Sequence, residues 1–292
     1  MDTHHDAART ETGARTDSAS AADSSTAGTG AAAGTGAAAG TGAIASDPAV
    51  VVEGLRKQYR RKVAVEDISL RVEHGEIFGL LGANGAGKTT TVEVIAGLRR
   101  PRRHDRGTVR VLGLDPQRDR AALRHLLGVQ LQSATLHGAL TVDELINLYR
   151  GFYPDPRPAA QLIGLVGLEE QRRVRFDKLS GGQQQRLSIA IALAGRPRVV
   201  ILDELTTGLD PKARRQMWTT VERLRDEGCT ILLVSHAMEE VERLCDRVAL
   251  LDAGRVLATG TPAALIERAR AADLDEAFVA LTGKHLEEEE AA

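Results

Sequence analysis

A chain of 292 residues with a formal net charge of −2 has room for one large domain or two modest ones, and it lacks the bulk positive charge that drives binding to nucleic acid, so no nucleic-acid partner is expected. Its two cysteines, Cys229 and Cys245, supply no disulfide framework and are expected to pack as small apolar residues. No apolar run approaches the roughly 20 residues that span a bilayer, and the N-terminus has no signal-peptide core, which predicts a cytoplasmic chain unless a partner holds it at a membrane.

Residues 1–46 are Ala, Gly, Thr, Ser and Asp, with the near-repeat Thr35–Gly42. Such a composition buries too little apolar area to offset the entropy of ordering it, and a disordered tail is expected. The isolated pair His4-His5 is read as tail decoration. The first strand is predicted over Val50–Leu55, with Tyr59 just after it. Ile68, Leu70 and Val72 then alternate with polar residues at strand periodicity.

The apolar run Ile77–Leu81 leads into Gly82-Ala83-Asn84-Gly85-Ala86-Gly87-Lys88-Thr89-Thr90, and Thr91–Ala96 reads as helix. Strand, glycine-rich turn and helix in that order form the setting of a phosphate-binding loop. The glycines let backbone N–H groups turn inward, and the helix N-terminus adds its partial positive charge. Lys88 can reach terminal phosphates, Thr89 can place its hydroxyl on Mg²⁺, and Thr90 can add a donor.

Thr108–Leu112 and Gly128–Leu131 are further predicted strands. From about Ser133 to Leu179 the pattern turns helical, at Val142–Tyr149 and Ala159–Val166, with Pro154, Pro156 and Pro158 excluding a helix between them. We read this stretch as a helical insertion into a sheet-based core. In Leu179-Ser180-Gly181-Gly182-Gln183-Gln184-Gln185-Arg186, Ser180 is a natural N-cap and the two glycines expose N–H groups, making a second anion-binding helix start.

Val199–Leu202 suits a central parallel strand covered on both faces. It ends in Asp203-Glu204, where open α/β sheets present ligands. Asp203 can hold Mg²⁺ directly or through water, and Glu204 can take a proton from an attacking water. Pro211 opens a long helix ending near Gly228, and Thr230–Val234 is a buried strand ending at Ser235-His236. A short helix over Met238–Cys245, a hairpin at the sheet edge over Arg247–Ala258 and a helix over Pro262–Ala269 complete the folded part, which is placed at residues 47–270. Residues 271–292, with Glu287–Glu290, are read as an acidic tail.

Over residues 48–265 these motifs together resemble the nucleotide-binding subunit of ABC transporters. Gly82–Thr90 resembles the Walker A loop, Val199–Glu204 Walker B, Leu179–Arg186 the signature, Gly208–Pro211 the D-loop and His236 the switch histidine. Gln132, eight residues before Leu140, falls at the Q-loop position, and Tyr59 at that of the base-stacking aromatic. The resemblance implies an α/β fold: a P-loop NTPase (RecA-like) core with an antiparallel β subdomain and an inserted α-helical subdomain. It implies an ATPase using ATP and Mg²⁺, with Tyr59 stacking on the base and Gln132 completing the Mg²⁺ shell. Glu204 polarises water, and His236 contacts the γ-phosphate. It further implies a homodimer or heterodimer in which the signature of one chain closes over the Walker A loop of the other, with Asp210 of the D-loop among the ATP-binding residues. An integral membrane permease is the implied partner, and the cytoplasmic side of the cell membrane the implied place.

Thr206–Pro211 with Arg215 and Trp218, and Glu239–Val248, resemble the branch that exports antibiotics and drugs; polysaccharide, lipid or amino-acid cargo and a soluble ABC ATPase are the alternatives. The family usually has Pro after the Walker B glutamate. Leu205 stands there instead, and reduced hydrolysis relative to a Leu205→Pro variant is expected, because Pro fixes φ and Leu does not.

Overall fold

The computed structural model describes residues 47–60, 62–131 and 136–283. The expectations for residues 1–46, for Gln132 and for Glu287–Glu290 lie outside them. Among the described residues the strands form one sheet in the order β4-β1-β2-β9-β8-β3-β7-β6-β5. Strands β1 (Val50–Tyr59), β2 (Lys62–Val72) and β4 (Arg106–Val111) pair antiparallel. Strands β3 (Ile77–Gly82), β5 (Leu127–Gln130), β6 (Val199–Asp203), β7 (Thr230–Val234) and β8 (Arg247–Asp252) run parallel to one another, and β9 (Arg255–Gly260) turns back along β8.

Every residue of β3, β6 and β7 is buried. Alternation assigns their side chains to two faces. Ile77, Leu81, Val200, Leu202, Ile231 and Leu233 enter one apolar core, while Phe78, Leu80, Val199, Ile201, Leu232 and Val234 enter the other. The first core is closed by α3 (Val142–Arg150), α4 (Ala159–Val166), α5 (Gly181–Ala192), α6 (Pro211–Asp226) and α7 (Met238–Leu244). The second is closed by Val92 and Ile95 of α1 (Lys88–Ile95), by Leu123 of the short α2 (Arg120–Leu123) and by β1 and β2. Each fully buried Leu, Ile or Val contributes about 1.5–3 kcal/mol. Both cysteines are buried and free, as their isolation in sequence suggested, and burial pushes the Cys229 thiol up to about 12.

Two expectations need correction. The β8–β9 hairpin is not at a sheet edge: it lies inside the sheet, between β3 and β2. The amides of Glu66 and Asp67 donate to Gly254 O at 2.9 and 3.1 Å, so the hairpin turn is stitched to β2. The acidic tail does not begin at residue 271 either. Beyond α8 (Pro262–Ala269), the side chain of Asp273 caps α9 (Leu274–Thr282), which buries Leu274, Ala277 and Phe278 against the first core. That helical apolar spacing outweighs the acidic character of the C-terminal residues.

Candidate functional site

Gly87 caps the N-terminus of α1 with φ +99°, and a Cβ on it would stand 2.7 Å from Ala64 O. Gly82 is needed for close approach: a Cβ there would lie 2.5 Å from Leu251 O of β8. No side chain caps α1 and no acidic residue occupies its first turn, so its amides and dipole face the loop. Lys88 Nζ donates to Gly82 O (2.5 Å) and Ala83 O (3.1 Å), which holds the ammonium at the loop. The buried Thr91 bonds back to Gly87 O at 2.8 Å, whereas Thr89 and Thr90 line the cavity in front.

That cavity has a volume of about 1560 Å³. It brings together Tyr59, Gly82, Asn84, Gly85, Gly87, Lys88, Thr89, Thr90, Asp203, Glu204 and His236. Ala83 and Ala86 belong to the same loop but are buried behind it. Lys57 Nζ and the Arg99 and Arg102 guanidinium groups lie 5.6–5.8 Å from the centre of the Tyr59 ring. The aromatic wall of the cavity is therefore cation-rich, a feature its sequence position did not reveal.

Asp203 ends β6 at 3 % exposure, and its amide donates to Gln130 Oε1 at 3.1 Å. Glu204 follows with φ +53°, a conformation that costs a non-glycine residue about 1 kcal/mol. Its peptide groups are held on both sides: the amide donates to Val234 O (2.8 Å) and the carbonyl accepts from Gln185 Nε2 (3.0 Å). The Glu204 carboxylate then reaches to 3.7 Å from Nδ1 of the half-exposed His236. Leu205, at the family's proline position, is fully buried in the first core.

Ser180 caps α5 through a reciprocal box: its hydroxyl accepts from Gln183 N (3.3 Å) and its own amide donates to Gln183 Oε1 (2.9 Å). Gly181 and Gly182 form the first turn of that helix. None of these four residues lines the phosphate cavity. Asp210 is also remote from it. Asp210 caps α6, accepting from the amides of Lys212 and Ala213, and it borders a separate cavity of about 450 Å³ with Arg186. The Ala213 and Lys212 amides, with the nearby charges of Arg186 and Lys212, hold the Asp210 carboxyl below the usual range.

Sequence reasoning missed Gln130, Gln185 and Glu240, which touch the backbone or neighbours of the candidate residues. A single signal existed for Glu240: in α7 it sits one turn before Leu244 at the margin of the apolar stripe made by Met238, Val241 and Leu244.

The family model described as "ABC transporter" matches residues 65–207. The chain is 37 % identical over 221 residues to the linearmycin resistance ATP-binding protein LnrL of Bacillus subtilis, covering 74 % of this chain and 70 % of that one. It is 40 % identical over 240 residues to the Nod factor export ATP-binding protein I of Paraburkholderia xenovorans, covering 80 % and 77 %. Among solved structures it is similar to an ATP-binding subunit of an ABC transporter, with TM-score 0.72, 30 % identity and coverage of 80 % and 99 %. It also resembles the ATP-binding cassette MJ0796 in a dimeric, post-hydrolysis state bound to ADP and Pi, with TM-score 0.66, 26 % identity and coverage of 73 % and 98 %. With the phosphate loop, the strand-end carboxylates and the signature helix all in place, the chain belongs to the ATP-binding ATPase subunits of ABC transporters.

Proposed function

We propose that this chain hydrolyses ATP at an interface between two ATP-binding chains, and that hydrolysis drives export of drugs, antibiotics or other hydrophobic compounds through a separate membrane permease. The observation that carries the reading is a separation. Lys88, Asp203, Glu204 and His236 share one cavity, while Ser180–Gln183 lie outside it. A second chain that supplies its signature helix completes the site, and two equivalent sites follow from two-fold pairing.

Within the cavity the chain's own groups divide the work. Loop amides and Lys88 bind the phosphates, and Tyr59 offers its ring to the base. Glu204 accepts a proton from water as the water oxygen bonds to the γ-phosphorus and the bond to the ADP oxygen breaks. His236 orients that water against the γ-phosphate. The Thr89 hydroxyl and the Asp203 carboxylate are hard oxygen donors in one cavity, a set that fits Mg²⁺, with Gln132 as a further ligand. When bound, the ion neutralises charge on the β- and γ-phosphates.

Docking to the permease is assigned to the insertion near Gln132 to Tyr153, which carries helix α3. Leu148 and Phe152, one turn apart, are 49 % and 65 % exposed there, an apolar pair that a partner can cover. Both named relatives are resistance or export proteins, which favours export. Co-purification of the chain with a membrane permease, and loss of that capture in Leu148→Asp/Phe152→Asp, tests the assignment. Failure to capture any permease, including one encoded beside it, contradicts it.

A further inference from the structure

At 1 % exposure Glu240 is the most deeply buried carboxylate among the described residues. A buried carboxylate is costly unless hydrogen bonds satisfy it. Trp218 Nε1 donates to Glu240 Oε1 at 3.2 Å, and Ser235 Oγ donates to Oε2 at 2.6 Å. The buried Thr206 turns its hydroxyl to the same carboxylate. Burial pushes the Glu240 carboxyl above the ordinary glutamate value, and these three donors act against that rise.

The donors come from three separate places. Thr206 lies two residues beyond Glu204, Ser235 immediately precedes His236, and Trp218 lies on α6, whose N-cap is Asp210. Ser235 Oγ also accepts from Ala237 N at 3.1 Å, so its hydroxyl closes the turn that presents His236. On the α7 side, the Arg243 guanidinium stacks over Trp218 at 5.2 Å. One carboxylate therefore fastens the segment after β6 to the segment after β7, across the gap that Glu204 and His236 span at 3.7 Å.

We propose that Glu240 is a positioning residue for ATP hydrolysis: it fixes the spacing of Glu204 and His236 so that both act on one water, and it ties that spacing to helix α6. The proposal rests on the roles given above to Glu204 and His236. It assigns Glu240 no contact with ATP. Loss of the anchor lowers turnover and spares nucleotide affinity.

A double-mutant cycle separates this role from plain structural support. Turnover at saturating ATP and ATP affinity are measured for Glu240→Ala, His236→Ala and the double variant in the full chain. Glu240→Ala should slow turnover on the order of 10- to 100-fold, as small misplacements of reacting groups do, with ATP affinity little changed. In the His236→Ala background the same substitution should cost almost nothing further. Trp218 is the chain's single tryptophan, so its emission reports whether each variant keeps the local packing. Should Glu240→Ala not fold, Ser235→Ala removes the middle link together with the turn bond from Ala237 N and should show the same pattern, while Glu240→Gln should restore most activity. Penalties that multiply in the double variant, or full turnover in folded Glu240→Ala or Ser235→Ala, overturn the proposal while leaving the site reading intact. Full turnover in His236→Ala overturns the role of His236 and this proposal with it.

Discussion

Glu204 Oε1 stands 3.7 Å from His236 Nδ1, across the ends of the neighbouring strands β6 and β7. Neither side chain is near the other in sequence. The parallel register Asp203↔Val234 brings them together, and the bond from Glu204 N to Val234 O locks the approach. At that spacing a carboxylate and an imidazole can share one water, as the roles proposed for Glu204 and His236 require.

Replacing Glu204 by Gln keeps the shape and removes the proposed base. ATP binding should persist while hydrolysis slows about 10²–10⁴-fold, the usual worth of a general base. Single-turnover phosphate release reads this, and a loss smaller than about tenfold would assign the base elsewhere.

Lys88→Ala should weaken ATP binding by about 10- to 150-fold. The ammonium is already directed at the loop by Gly82 O and Ala83 O, so the substitution removes a charge-assisted contact worth roughly 1.5–3 kcal/mol from a crowded anionic site. Titration calorimetry with ATP checks it; unchanged affinity would show that Lys88 does not hold phosphate.

Lys57 and Asp105 form an ion pair with side chains only 3 % and 7 % exposed, supported by the Gln58 and Arg102 amides. Burial raises the Asp105 carboxyl, but Lys57 and those amides outweigh it and hold it below its usual value. A depressed carboxyl contributes stability above the unfolded value near 4, and that contribution is lost as pH falls through the lower folded value. Asp105→Asn should cost about 3 kcal/mol at neutral pH, since it strands a buried ammonium. The difference from the unmodified chain should shrink on acidification; a constant or growing gap below pH 4 would contradict this.

Leu205→Pro trades stiffness against volume. Proline should raise turnover by restraining the turn beyond Glu204, while the fully buried Leu205 loses roughly 1 kcal/mol of apolar contact. Steady-state hydrolysis and thermal melting separate the two effects, and equal or lower turnover in the proline variant would remove the stiffness argument.

Much of this molecule was legible before its structure. Continuous apolar runs marked β3, β6 and β7, because strands covered on both faces need no polar alternation. Pro211 and Pro262 announced helix starts that Asp210 and Thr261 cap. The hidden part is non-local. The position of the β8–β9 hairpin depends on β2, nearly two hundred residues earlier in the chain, as the single Asp67↔Arg255 pairing shows. The grip of Gln185 on Glu204 O, and of Glu240 on Ser235 and Trp218, comes from a Gln and a Glu whose types alone suggest solvated surface. Polar groups reveal such roles only when the fold buries them together. Helix α9 was obscured by the acidic run Glu287–Glu290 near it in sequence.

Whether two chains build each site is decided by where Ser180 lies when nucleotide is bound. In a structure of the Glu204→Gln variant with ATP and Mg²⁺, Ser180 of one protomer should contact the γ-phosphate held by Lys88 of its partner. Ser180 remote from every bound phosphate, with each chain holding its nucleotide alone, would contradict the shared site.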